Sequence, residues 1–177
     1  MLKFSIKNTL SEISNDSAVK KIIKKAEIDY AEIVYDETMQ NLENSRSIHG
    51  NKMAPIKEST REVRRLRGQT GTKPLIASGA MKNSLRLDVS GKTPVMTVET
   101  YGNTTFPNAH QVGYMTKNNP SIKGKLFRFA GKSIPARPWL HNEYTVIASQ
   151  RIQQQFKEVY REYFNLINEI ITKKAKK

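Results

Sequence analysis

Two segments of the chain repeat apolar residues at the spacing of an amphipathic helix. In the first, apolar side chains recur every three or four residues among lysines and glutamates, namely Val19, Ile22, Ile23, Ala26, Tyr30 and Ile33. Asn15 or Asp16 is suited to cap its start, because a short acceptor side chain can satisfy the free N–H groups of the first turn. The pattern predicts a helix over residues 16–44.

The second helical segment lies near the end of the sequence. Its apolar residues form one broad face, opposite a face of glutamines and charged residues: Ile147, Ile152, Phe156, Val159, Tyr160, Tyr163, Ile167, Ile170 and Ile171. Lys173 and Lys174 suit its C-terminus, where cations meet the negative end of the helix dipole. The pattern predicts a helix over residues 143–173, with Asn142 as its cap.

The hydrophobic pattern between these helices changes to the alternation of a strand. Leu85, Leu87 and Val89 alternate with polar residues, and a second run rich in β-forming residues follows over 95–101. Residues 91–94 (GKTP) provide the turn, so the two runs are expected to pair as an antiparallel hairpin. Residues 78–83 just before them are expected to form a short helix capped by Ser78. The unit of short helix plus hairpin is placed at residues 75–101.

Two further regions hold most of the glycine, proline, asparagine and basic residues. Residues 45–74 are predicted to be a basic loop, and residues 102–138 a long loop that ends in a proline-rich arm. Loops of this length are uncommon inside a compact domain and are usually functional. We expect them to become ordered through contacts with neighbouring proteins.

Length and charge narrow the class of protein. The 177 residues suit a single domain over 1–177. The net charge of +14 attracts polyanions and acidic protein surfaces, although dispersed lysines can also form an ordinary solvated surface. Cysteine is absent, which excludes disulfides and thiolate chemistry and fits assembly in a reducing cytoplasm. The sequence has no apolar run long enough for a membrane span and no pattern of a secretory signal, so we expect no membrane partner.

Residues that could carry catalysis or bind a metal are scattered. His49, His110 and His141 are isolated from one another in the sequence. The triplet of His141, Asn142 and Glu143 weakly resembles a nuclease motif, but a capping turn before the last helix explains it as well. The carboxylates of the first helix are better explained as part of a solvated face. We therefore predict no catalytic residue, no metal site and no cofactor.

The segment 134–140 (IPARPWL) has a distinctive physical character. Pro135 and Pro138 each fix their own φ and hold the preceding residue in an extended conformation. We expect a stiff arm that delivers Trp139 and Leu140 into the core or an interface and holds Arg137 in a set direction. The plainer alternative is a rigid lead into a helix.

Four segments in order resemble elements of the virion-morphogenesis and tail-completion proteins of tailed bacteriophages. They are residues 53–60 (MAPIKEST), 75–85 (LIASGAMKNSL), 109–113 (AHQVG) and 134–140 (IPARPWL). A C-terminal helix follows the last segment in this chain, as it does in the phage family. The segment 134–140 is the most specific of the four. The resemblance extends over residues 52–160.

The resemblance implies an α+β fold, in which long N-terminal and C-terminal helices pack on a small antiparallel sheet with long loops. It also implies a structural protein of the virion neck or tail, assembled in the host cytoplasm, that forms a ring of six or twelve copies and contacts neighbouring neck and tail proteins. On this basis the expected structural or interface residues are Pro135, Arg137, Pro138, Trp139, Leu140, His110, Gln111 and Gly113. The residues expected to contact a partner or passing DNA are Arg61, Arg64, Arg65 and Arg67.

Two other functional classes stay open at the level of sequence. A basic nucleic-acid-binding module of phage or host would explain the charge, and it predicts a steep dependence of DNA affinity on salt. A nuclease or cell-wall hydrolase would depend on His110 or His141, and it predicts loss of activity with an intact fold when either is replaced.

Overall fold

The computed structural model describes residues 15–75, 79–98, 113–141, 146 and 149–175, which form four helices and six short strands. Helix α1 spans Ser17–Glu43, which confirms the predicted first helix. Asp16 Oδ1 caps it by accepting hydrogen bonds from the backbone N–H of Ala18 at 2.7 Å and of Val19 at 3.2 Å. Lys174 donates to the other carboxylate oxygen of Asp16, and this bond is the first cause of a lowered pKa of that carboxyl.

Helix α4 spans Gln150–Ala175, so the predicted C-terminal helix exists but its predicted start near residue 143 is wrong. Ser149 is not helical, and its hydroxyl accepts a hydrogen bond from the backbone N–H of Ile152 at 3.4 Å. A serine in this position competes for backbone hydrogen bonds and favours a cap over a helix interior. The proposed cap Asn142 lies outside the described residues.

The two long helices pack against each other in antiparallel orientation. The start of α1 meets the end of α4 through Asp16 and Lys174, and the end of α1 meets the start of α4 through Glu37 and Arg151, whose charged atoms are 3.1 Å apart. Between these points, the rings of Tyr30 and Phe156 lie 4.5 Å apart. Val34, Val146 and Ile152 form a buried cluster beneath the pair.

The predicted hairpin is confirmed over its described residues, and residues 99–101 of its second strand lie outside them. Strands β1 (Leu85–Asp88) and β2 (Val95–Val98) pair antiparallel, with Leu85 opposite Val98 and Leu87 opposite Met96. The short helix before them, α3, spans Ala80–Ser84. Its cap position is occupied by Gly79 in the left-handed region, so the expectation of Ser78 as the cap is wrong; Ser78 itself lies outside the described residues.

The two regions predicted as loops contain regular structure. Helix α2 (Glu58–Leu66) interrupts the basic loop, with Val63 buried beneath it. Strand β3 (Tyr114–Met115) pairs with β6 (Ser133–Ile134), and β4 (Ser121–Ile122) pairs with β5 (Lys125–Leu126). The loop predictions are wrong at these elements, because the elements are too short to show a period in the sequence. Residues 102–112 lie outside the described residues.

The main core lies where α1, the hairpin and the segment 134–140 meet. Leu42, Leu85 and Trp139 are fully buried there, and Met53, Leu75 and Met81 complete the cluster. Met96 of β2 packs against both this cluster and the one under the helix pair. Long helices packed with small antiparallel sheets make this an α+β fold, as expected. Within the described residues, no helix is both long enough and apolar enough to span a membrane.

Candidate functional site

The segment 134–140, called the proline arm below, runs from strand β6 into the core. Pro135 and Ala136 are exposed and Pro138 is half-buried. The carbonyl of Pro138 accepts a hydrogen bond of 2.9 Å from the backbone N–H of Ile48, which ties the arm to the segment after α1. Trp139 then becomes fully buried. Of the two destinations predicted for Trp139, the structure therefore selects the core of the same chain.

Gly113 lies directly against the backbone of the proline arm. Its φ is +76°, and a Cβ atom built there would lie 2.8 Å from Ala136 N, 2.8 Å from Ile134 O and 3.2 Å from Pro135 C. All three are backbone atoms, which cannot rotate away as the end of a flexible side chain can. The pairing of β3 with β6 imposes this close approach, so a side chain at position 113 would separate the two segments.

Arg137 lies almost wholly inside the protein, with 7% of its surface exposed. Its Nε donates to the carbonyl of Ala54 at 3.3 Å, which links the arm to the segment before α2. Burial lowers the pKa of Arg137 and of Arg64, and the charge of Arg137 contributes to the lowering at Arg64. Burial raises the pKa of the neighbouring Tyr114. The arm thus brings two arginines and a tyrosine from three segments into electrostatic contact.

Three of the segments singled out in the sequence meet the fourth, which is the proline arm. Met53 of the first segment packs in the Trp139 cluster. Leu75, Met81 and Leu85 of the second segment belong to the same cluster. Gly113 of the third segment touches the backbone of the arm. Two segments far apart in the chain therefore share a core cluster with Trp139, and a third supports the arm that leads to it.

The four arginines expected to contact a partner have different environments on and after α2. Arg61 and Arg65 are exposed and pair with glutamates one turn earlier, at 3.3 Å and 3.2 Å. Arg64 turns inward, and its Nη1 donates to the carbonyls of Gly71 at 2.7 Å and Lys73 at 2.8 Å. This places Arg64 among the bonds that hold the loop after α2.

Arg67, the fourth of these arginines, is exposed at the C-terminal cap of α2. It lies at the rim of an open groove of about 600 Å³ whose other lining residues are Tyr114, Met115, Thr116, Lys117, Asn118, Pro120 and Phe129. The groove combines two cations with two aromatic rings. Arg61, Arg65 and Arg67 are therefore the members of the set whose side chains are exposed on the surface.

The C-terminal half of α1 carries a buried group of polar residues where the sequence pattern predicts a solvated face. Glu37, Thr38 and Asn41 are buried, and Asn41 Nδ2 lies 3.5 Å from Nε2 of the buried His141. Burial raises the pKa of Glu37, opposed by the positive charges of Arg151 and Arg46. The signal in the sequence is that these polar residues continue the apolar spacing of α1. No cluster of three metal-ligating side chains occurs in the described part of the chain.

Helix α4 carries a row of aromatic residues that begins at the contact with α1 and continues onto the exposed surface. The ring of Phe156 lies 5.7 Å from that of Tyr160, which lies 6.2 Å from that of Phe164. Tyr160 is 53% exposed and Phe164 is 52% exposed. Leu166 on the same helix is 38% exposed. Tyr160 and Phe164, whose rings are adjacent and both exposed, mark a candidate interaction surface.

Two residues of the predicted site, His110 and Gln111, lie outside the described residues. No family model, no curated protein and no solved structure matches the chain. The residues around Trp139 and the exposed faces of α2 and α4 are therefore the basis for a functional proposal.

Proposed function

We propose that the chain is a structural subunit of a tailed-bacteriophage virion, acting at the neck or tail-completion position between head and tail. In this role it assembles into a ring of six or twelve copies and joins the tail to the DNA-filled head. Its action is assembly with other proteins and not catalysis.

The observation that carries the proposal is the convergence on Trp139. Of the four segments that resemble elements of the phage family, residues 53–60 and 75–85 pack in one core cluster with Trp139 of the fourth. Gly113, the one described residue of the third segment, lies against the backbone of the proline arm. A shared structural role for them supports the family proposal.

Two surface properties support an assembly role. Exposed apolar side chains on α4 are of the kind that subunit contacts bury. The net charge of +14 suits a position next to passing DNA or an acidic neighbouring ring. In this proposal Arg61, Arg65 and Arg67 face the partner or the DNA, while Arg137 and Trp139 hold the subunit together.

The experiment is to measure the mass of the purified protein in solution by light scattering over a range of protein and salt concentrations. Negative-stain electron microscopy of any large species then gives the symmetry. The proposal expects a discrete ring, either from the protein alone or after addition of neighbouring neck and tail proteins. A chain that stays monomeric with each of these partners would contradict it.

The charge favours one alternative, a basic nucleic-acid-binding module. Its affinity for duplex DNA should fall steeply with salt, because each neutralised phosphate releases counterions. Arg61→Glu/Arg65→Glu should then abolish binding by the monomer, measured by fluorescence anisotropy. Lys21→Glu/Lys24→Glu is the matched control, since it changes the net charge equally on exposed positions of α1. Tight binding by a monomer that never assembles would favour this alternative over the neck protein.

A further inference from the structure

The edge of strand β3 that faces away from β6 lies beside the groove described above. Toward β6, Thr116 donates its backbone N–H to the carbonyl of Lys132 at 3.0 Å and accepts from the N–H of Gly131 at 2.8 Å. Gly131 has a φ of +74°, so Gly131 and Lys132 oppose Thr116 as a β-bulge. Backbone groups of successive strand residues point in alternate directions, so the N–H and C=O of Met115 point away from β6. Among the described strands none pairs with this edge, which is called the open edge below.

The open edge forms one wall of the groove of about 600 Å³. The consecutive residues 114–118 line this wall, a stretch that spans about 17 Å when extended. An extended strand directs its side chains to alternate faces, so lining by consecutive residues means that the backbone itself is accessible from the groove. The groove therefore offers main-chain hydrogen-bonding groups as well as side chains.

The opposite wall of the groove is held in place by hydrogen bonds and packing. Asn119 Oδ1 accepts from the backbone N–H groups of Phe129 and Ala130, each at 2.8 Å. The N–H of Phe127 donates to the carbonyl of Pro120 at 2.9 Å. The ring of Phe129 lies 5.9 Å from that of Phe127, which is buried. The groove is thus formed before any ligand binds, which lowers the cost of ordering on binding.

The surroundings of the groove are basic. Residues 113–141 contain six lysines and arginines and no aspartate or glutamate. Arg67 and Lys117, the cations that line the groove, are exposed, and within the described part of the chain neither forms an ion pair. The glutamates of α2, Glu58 and Glu62, are each already paired with cations. The charge around the groove therefore favours an anionic ligand.

We propose that the groove binds an extended acidic segment of a partner protein, which adds to the open edge of β3 as a third strand. The outward N–H and C=O of Met115 require main-chain partners, and an extended segment of another chain supplies both. Acidic side chains of the segment lie near Arg67 and Lys117, and its apolar side chains pack on the ring of Phe129. A nucleic acid brings the negative charge but no peptide backbone, so it leaves the open edge without main-chain partners. The inference goes beyond the proposed function, because it assigns a binding mode to the single chain.

The first test concerns charge. Fluorescence anisotropy at physiological salt, where distant charges are screened, follows the binding of a labelled decapeptide of alternating aspartate and valine to the full chain. Arg67→Glu/Lys117→Glu should weaken this binding by about tenfold or more, because like charges then oppose each other. Lys21→Glu/Lys24→Glu changes the net charge equally on exposed positions of α1 and should weaken it far less. A peptide of alternating lysine and valine should not bind. Equal losses in the two variants would overturn the proposal.

The second test concerns the main chain of β3. Met115→Pro removes the outward N–H, and proline is tolerated on a strand edge whose N–H faces away from the sheet. It should abolish peptide binding with little change in melting temperature. Thr116→Pro removes the N–H that bonds to Lys132, so it should lower the melting temperature. Amide hydrogen exchange of the wild type provides a measurement without substitution. The N–H of Met115 should exchange rapidly in the free chain and slowly with peptide bound, whereas that of Thr116 should be protected in both.

The remaining outcomes separate the possible errors. If the N–H of Met115 is already protected in the free chain, or if bound peptide leaves its exchange unchanged, strand addition is wrong. If single-stranded oligothymidylate binds more tightly than the acidic peptide, and Arg67→Glu/Lys117→Glu abolishes that binding, the groove is a nucleic-acid site and the proposal is wrong. Ring formation is measured separately by light scattering, so failure of peptide binding leaves the proposed function standing.

Discussion

Replacement of Gly113 by alanine would test whether the proline arm is seated as the structure places it. Gly113 has a φ of +76°, and a Cβ atom there would come within 2.8 Å of two backbone atoms of the arm. Alanine at this position therefore meets two separate costs. One is the left-handed backbone conformation, and the other is the crowding against Ile134 and Ala136.

The two costs can be separated within the same protein. A left-handed conformation costs an alanine about 1–2 kcal/mol. Overpacking against atoms that cannot move freely costs about a further 1–3 kcal/mol. Gly131 has nearly the same φ, +74°, but a Cβ atom there would meet nothing within 4 Å. Gly131→Ala should therefore show the conformational cost alone, and the gain of alanine from a less flexible unfolded chain is common to both variants.

The measurement is the free energy of unfolding of both variants in urea. Circular dichroism follows the helices, and fluorescence follows Trp139, which is the only tryptophan in the sequence. Gly113→Ala should be less stable than Gly131→Ala by about 1–3 kcal/mol, which is the crowding contribution. Equal losses of stability in the two variants would refute the close seating of the arm on Gly113.

Three further predictions concern buried side chains. Trp139→Ala should lower the free energy of unfolding in urea by about 3–5 kcal/mol, because it leaves a cavity at the centre of the core. Trp139→Phe should lower it by less. Arg64→Ala should lower the free energy of unfolding by about 2 kcal/mol, because it leaves two loop carbonyls without their charged donor. Arg65→Ala should change the melting temperature far less, because its ion pair is exposed. The raised pKa of Glu37 means that its contribution to stability is complete below pH ~4.3, the unfolded value, and is lost as the pH rises through the folded pKa. In urea unfolding over a pH series, the free energy of unfolding of Glu37→Gln should therefore rise relative to that of the wild type as the pH rises. A difference in free energy between the two proteins that stays constant with pH would contradict a cost of burying the charged carboxylate.

The long helices could be predicted because their apolar period is sustained over many residues. In α1 the repeat runs from Val19 to Ile33, and the structure has a helix there with Asp16 as its cap. The hairpin could be predicted for a similar reason, since two alternating runs flank a turn. These elements determine the fold class, so an α+β fold could be predicted from the sequence.

The short elements could not be predicted because they lack a period of their own. Helix α2 is nine residues long with one buried residue, Val63, and arginines mask its periodicity. The strands β3 and β6 are two residues each, and their pairing depends on contacts between distant parts of the chain. The true start of α4 depends on one capping hydroxyl, that of Ser149, inside a run of helix-compatible residues.

The sequence indicates a stiff arm at residues 134–140 but not how that arm is arranged in the fold. The prolines indicated a stiff arm, yet a buried tryptophan suits a core and an interface equally, so only the structure could place Trp139 in the core. Nothing in the sequence links Gly113 to Ala136, because a close approach of two backbones is a property of the folded chain. Glu37 is buried although the amphipathic pattern predicts a solvated carboxylate, because a carboxylate in such a helix is usually exposed.

The division between residues inside the subunit and residues on its surface determines how loss of assembly should be interpreted. Trp139, Arg137 and Gly113 are used within one chain, so changes there should affect assembly only as far as they lower stability. Arg61 and Arg65 are exposed on α2, so if they face a partner as proposed, changes there should alter assembly at an unchanged melting temperature. Stability and mass measured on the same variants therefore distinguish a folding defect from a docking defect. If arm variants of unchanged stability lost assembly, the arm would belong to the interface as well as to the core.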